Sequence, residues 1–146
     1  MIKTKNGKTA PQYVKQDILL WFEEDNEKIK QIKEMTGDEI DAAYIANESD
    51  LVYDATNEMR CCYSEETNLP DRQYSRHYEC KEVAYQFDDG TWVGWTYWYG
   101  GGKHGEPNAV DWISNAYFVE CVEEEKLVVV RSFSIEEDNT NANPNA

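Results

Sequence analysis

The sequence predicts an α+β fold, with N-terminal helices packed on a roughly four-stranded antiparallel sheet. Three observations predict it. Ahead of Met59 the apolar residues recur at helical spacing. From Arg76 onward the period drops to two, with a hairpin turn at its centre. The helical and extended halves follow one another and do not alternate, which excludes a doubly wound nucleotide-binding fold. The chain has 146 residues, the size of one domain. It is long enough to bury a core without a disulfide or metal staple.

Residues 1–10 carry Lys3, Lys5 and Lys8 among Asn, Gly and Thr, and read as a mobile basic tip. The domain proper spans 11–135, and 136–146, acidic and then Asn-rich, reads as a disordered tail. Pro11 suits the first turn of a helix. Val14, Ile18, Trp21, Phe22, Ile29, Ile32 and Met35 continue one stripe until Gly37 stops it. Glu24 and Lys28 sit four apart in the favourable order along it. Thr36 and Glu39 have the spacing of a capping box for a second helix, striped by Ile40, Ala43 and Tyr44 and ending near Asn47. Leu51 to Met59 reads as a third short helix or a loop. Residues 61–73 read as irregular, with Pro70 as a breaker.

Residues 76–87 alternate as a strand, Asp88-Asp89-Gly90-Thr91 is a hairpin turn, and residues 92–99 (WVGWTYWY) form the second strand. Aromatics on both faces of that strand make it central, or turn one face to a partner. Gly100 to Pro107 is a glycine-rich connection, and Asn108 is placed to cap a short helical turn through Trp112 and Ile113. Tyr117 to Val122 reads as a third strand, Glu123-Glu124-Glu125-Lys126 as a turn, and Leu127 to Ser134 as a fourth strand.

The charge is large and uneven. Net charge is −15, with 29 acidic residues against 14 basic ones, which excludes a general nucleic-acid binder. Aromatics at 13% argue against a wholly disordered chain. Residues 1–15 carry +4, residues 16–66 carry −11, residues 67–105 carry −1 and residues 106–146 carry −7. The densest acidic stretch holds Asp38, Glu39, Asp41, Glu48, Asp50, Asp54 and Glu58 with no Lys or Arg among them. If 50–58 is helical, Asp50, Asp54 and Glu58 line one face. Such like-charge pairs each cost a few tenths of a kcal/mol. Stability alone would not select that row, whereas a basic partner would repay it. Glu123, Glu124 and Glu125 form a second acidic patch. The bland reading is a solvated face that keeps the chain soluble, and Lys28, Lys30 and Lys33 interrupt the acids of the first helix.

Several chemical constellations are incomplete. Pro70-Asp71 followed by Glu79-Cys80-Lys81 is similar to the PD…(D/E)xK pattern of metal-dependent nucleases, in which Asp and Glu hold Mg²⁺ and Lys steadies the attacking water. Its spacing is short, its setting is acidic, and a loop Asp with an exposed Glu/Lys pair explains it equally. Cys61, Cys62, His77, Cys80 and Cys121 could supply zinc ligands in number, but no CxxC or HxxxH pair occurs. Buried small thiols and a surface His are the simpler account. With no visible export signal, the cysteines are expected to be reduced and the chain cytoplasmic. Gly100 to Gly105 lacks the Ser or Thr that a phosphate loop places after its Lys. His104 with Glu106 or Asp111 could form an acid/base pair, but no nucleophile is near in sequence. No catalytic residue, metal or cofactor is assigned, and a non-enzyme is expected.

In size, acidity and compact single-domain layout the chain resembles small phage or mobile-element proteins that block bacterial defences, such as anti-restriction DNA mimics and many anti-CRISPR proteins. The resemblance rests on the charge and size of the whole chain. It implies a non-enzymatic inhibitor that fills the nucleic-acid groove of a basic host nuclease or CRISPR effector. The residues expected to meet that partner are Asp38, Glu39, Asp41, Glu48, Asp50, Asp54 and Glu58, with Glu123, Glu124 and Glu125. Two alternatives are an immunity-type protein capping a basic toxin, and a nucleotide sponge built from the aromatic hairpin and the glycine-rich loop.

Overall fold

The structure, a computed structural model, describes residues 2–137. Four helices, α1 (Ala10–Trp21), α2 (Asn26–Lys33), α3 (Gly37–Ala46) and α4 (Asp50–Cys61), precede four strands, β1 (Glu65–Glu66), β2 (Glu79–Gln86), β3 (Trp92–Tyr99) and β4 (Tyr117–Val119). The strands pair antiparallel in the order β1-β2-β3-β4. The fold is therefore α+β.

Local chemistry sets the helix boundaries. Thr9 and Gln12 form a capping box for α1, and Thr36 and Glu39 form the expected one for α3. Ser49 caps α4, and Val52, Ala55 and Met59 are its buried face, so the segment from Leu51 to Met59 is a helix and not a loop. The single helix expected from Pro11 to Met35 is instead two. It breaks after Trp21, and the Asp25 carboxylate accepts from the Glu27 amide at 2.9 Å to start α2. Packing explains the break. Ile32 is buried with Leu19 and Ile40. In one straight helix it would lie about 20 Å beyond Leu19.

α1 touches each of the other helices and the sheet. Its Tyr13, Val14 and Ile18 join Val52, Ala55 and Met59 of α4, Val83 of β2 and Val93 and Trp95 of β3 in the main core, which Trp112 and Ile113 complete. β3 is central as expected. The hairpin closes at Gly90, whose φ of 89° is open to glycine at little cost.

Gly94 serves close approach. A Cβ there would lie 2.8 Å from the Tyr117 ring and 2.9 Å from Val119. Gly94→Ala is expected to destabilise by about 1–3 kcal/mol. A urea midpoint unchanged from wild type would show that β4 yields freely.

Other boundaries differ from the sequence reading. The third strand stops at Val119 and does not reach Val122. Leu127 to Ser134 forms no strand, and residues 120–137 are exposed without regular structure. The fourth strand is β1, whose Glu65 and Glu66 pair with Ala84 and Val83. Asn108 caps nothing and lies inside a 3-10 turn, Pro107–Ala109, while Trp112 and Ile113 are buried in irregular chain. In the basic N-terminal segment, Lys5 and Lys8 close a turn through two backbone hydrogen bonds, and the Lys8 ammonium donates to Gln16 at 2.7 Å. Glu136 and Glu137 are exposed, and the rest of the expected tail lies outside the described residues.

Candidate functional site

α4 turns Val52, Ala55 and Met59 inward. Asp50, Asp54 and Glu58 therefore stand in a row on its other side, all exposed. Among the described residues none of the three joins an ion pair. Four-residue steps along a helix are about 6 Å, close to the axial rise of two nucleotides, about 6.8 Å. Asp50 also lies in the first turn, where the helix dipole favours a carboxylate. Asp54 and Glu58 have no such local reason. Ile45 of α3 and Leu51 and Tyr53 of α4 are also exposed, so the exposed surface of these two helices is mixed acidic and apolar.

The other predicted residues divide. Asp38, Glu39 and Glu48 are exposed, with Glu39 also engaged in the cap of α3. Asp41 is not a free charge. Its carboxylate accepts from Gln12 at 2.9 Å and pairs with Lys15 at 3.0 Å. Partial burial works against its ionisation, yet those two hydrogen bonds and the Lys15 charge outweigh burial and hold its pKa below the usual value. α3 and α4 both pack on α1 and are bridged by Tyr44 Oη and Thr56 Oγ1 at 3.3 Å. The helical acids thus share one scaffold. Glu123, Glu124 and Glu125 lie on the irregular chain after β4, with Glu124 3.7 Å from Lys126.

The nuclease-like constellation does not assemble. Glu79 and Lys81 project to one side of β2, and Lys81 pairs with Glu66. Asp71 sits on the other side, with Cys80 and Glu82, whose ligand atoms lie within 4.8 Å of one another. Among the described residues these three form a group that could hold a divalent metal. Burial, and then the charges of Asp71 and Glu82, push the Cys80 thiol pKa up. The five-residue zinc set is not brought together among the described residues. All four cysteines are free, and Cys61, Cys62 and Cys121 are exposed where buried thiols were the simpler expectation. The hydrogen bond with Cys61 is the main cause that pushes the Cys62 thiol up to about 11.

Trp95, Trp98 and Trp112 are buried and belong to the packing of the sheet. Tyr78, Lys103, Gly105 and Glu106 line an open cleft at the glycine-rich connection. The suggested pairing of His104 with Glu106 or Asp111 lies outside the described side chains.

Two features went unread in the sequence. Glu82 is buried in mid-strand. Asp17 shares a cleft of about 230 Å³ with Lys8, Lys33, Asp88 and Asp89. Burial, and then the charge of Asp88, raise the Asp17 pKa to about 6. A carboxylate directly preceding the core residues Ile18 and Leu19 was the available signal.

Among the described residues, no helix is long and apolar enough to cross a membrane. No family model matches the chain, and no curated protein or solved structure matches it.

Proposed function

We propose that the chain is a non-enzymatic inhibitor, acting in the cytoplasm of a bacterial host cell. It occupies the nucleic-acid-binding groove of a defence nuclease or CRISPR effector. The observation that supports this reading is the exposed, ion-pair-free row Asp50, Asp54, Glu58 on α4. Like charges at this spacing work against the helix in the free protein. A cationic groove removes that repulsion and recovers the attraction it normally gives to phosphates. Asp38, Glu39 and Glu48 extend the acidic face, and Ile45, Leu51 and Tyr53 supply apolar contact within it. Asp41, tied to Gln12 and Lys15, shapes the face more than it charges it.

The test is phage plating on hosts that carry defined restriction or CRISPR systems, with binding to the purified effector measured alongside. The wild-type chain is expected to restore plating against at least one system, with affinity falling steeply as salt rises. Replacing Asp50, Asp54 and Glu58 together by Lys is expected to weaken binding by about 100-fold or more. These side chains are exposed, so the variant should stay folded, with a modest fall in thermal midpoint that traces to Lys in the first turn of α4. A folded triple variant that still restores plating fully would show the assignment to be wrong. The same row fits the basic groove of a toxin nuclease. Rescue of a toxin-expressing strain, with no effect on plating, would select that immunity-type reading instead.

A further inference from the structure

The chain after β4 is unusual. Leu127, Val128, Val129, Val130, Phe133 and Ile135 are each at least 75% exposed, and the segment carrying them pairs with no strand among the described residues. Its composition is that of a buried strand. At about 3.3 Å per residue, residues 127–135 span about 30 Å when extended. β4 is a terminal strand of the sheet, so among the described residues no strand pairs with its outer edge.

We propose that residues 127–135 form an exchanged β-arm, which docks along the open edge of β4 in a second copy of this chain while that copy's arm docks reciprocally. The interface is then isologous and closes as a two-fold dimer.

Three observations favour a second copy over an intramolecular hairpin or a foreign protein. First, the connection Glu123-Glu124-Glu125-Lys126 is a poor hairpin turn. It lacks the Gly, Asn or Asp that takes a positive φ in tight two-residue turns, and it would crowd three consecutive carboxylates. An open hinge spreads these charges. Second, both halves of the contact, an unpaired strand and an unpaired edge, are joined by this short hinge in one chain. The exchange is reciprocal, so each copy supplies nine arm residues and the three-residue edge of β4. Third, residues 127–135 contain Arg131 and no acid, in a chain of net charge −15. The contact is therefore the segment that two acidic copies can bring together with least repulsion. A cleft over the sheet face between β1 and β4, lined in part by Leu69, Trp92 and Val119, adjoins β4 and offers apolar surface to the arm.

The experiment is sedimentation equilibrium on the full chain and two variants. Wild type is expected at twice the 17.0 kDa chain mass. Val128→Asp with Val130→Asp, on side chains that are exposed in the single copy, is expected to sediment as a folded monomer. Glu124→Asn with Glu125→Gly supplies a hairpin turn and lets the arm fold back on its own β4, so it too is expected to be monomeric. Its arm amides, unlike those of the Asp variant, should stay protected from hydrogen exchange. A wild-type monomer at every concentration overturns the proposal, including the case in which the arm binds another protein. A dimer that survives Val128→Asp with Val130→Asp overturns it as well. So does a turn variant that remains dimeric.

Discussion

Glu82→Ala is expected to destabilise the protein by about 3–5 kcal/mol, read as a lower urea midpoint at an unchanged m. Glu82 is 2% exposed and sits on the face of β2 away from the helices. Thr96 Oγ1 of β3 donates to its two oxygens at 2.9 and 3.0 Å. Tyr117 Oη of β4 donates at 2.6 Å, and the Arg72 amide donates at 3.3 Å from the loop between β1 and β2. One carboxylate therefore ties three strands and a loop together. Burial, and then its bond to Glu82, push the Tyr117 hydroxyl pKa far up, so it remains a donor throughout the accessible pH range.

Truncation leaves the Thr96 and Tyr117 hydroxyls without their acceptor, at about 1–3 kcal/mol for each group left buried and unpaired, and it adds a cavity. Against a typical total of about 5–15 kcal/mol, that is a large share. Glu82 has no ion-pair partner among the described residues, so its work lies in accepting hydrogen bonds. Glu82→Gln keeps one good acceptor and is expected to lose less than half as much. Equal losses for Ala and Gln would instead make the negative charge the important element.

This network shows where sequence reasoning reaches its limit. The register places Glu82 opposite Thr96, and Gly94 opposite Tyr117. The three polar partners are far apart in sequence and meet only once the strands align. Period-two alternation puts Glu82 on the face away from the helices, where a charged residue reads as exposed, and a tertiary network buries it there. β1 is invisible for a related reason. Glu65 and Glu66 have no strand-like side chains, and their pairing with Ala84 and Val83, like the ion pair of Glu66 with Lys81, depends on partners distant in sequence. The capping box Thr36/Glu39 and the turn before Trp92 were legible because their chemistry is local. The break after Trp21 had a local signal in Asp25, but the apolar spacing runs on across it and is equally compatible with one helix or two. The row Asp50, Asp54, Glu58 was legible once 50–58 was taken as a helix. The pairing of Asp41 with Lys15 was not, since it depends on how α3 packs against α1.

Asp17→Asn is expected to stabilise the protein at pH 7.5 and to lose that advantage as the pH falls. Asp17 is half-buried on α1, and among the described residues its carboxylate accepts no hydrogen bond and joins no ion pair. Burial, with the Asp88 charge second, raises its pKa from 3.8 to about 6. The folded state thus holds this proton more tightly than the unfolded chain does. The stability linked to the proton is fully present below pH 3.8 and is lost as pH rises through about 6. Above that window the ionised group leaves a constant deficit. A shift of this size corresponds to about 3 kcal/mol, and partial solvent access reduces that to about 1–2 kcal/mol.

Asn carries no charge in either state and removes the deficit. The expected gain at pH 7.5 is about 1–2 kcal/mol, or several degrees in thermal midpoint for a domain of this size. Urea melts from pH 7.5 to pH 4 should show the gain shrinking through the window. A gain that does not vary with pH would trace to side-chain shape and not to ionisation. Asp88→Asn relieves only the lesser cause, so it should give a smaller gain over the same range. Equal gains from the two variants would put repulsion across the cleft ahead of burial as the reason Asp17 resists ionisation.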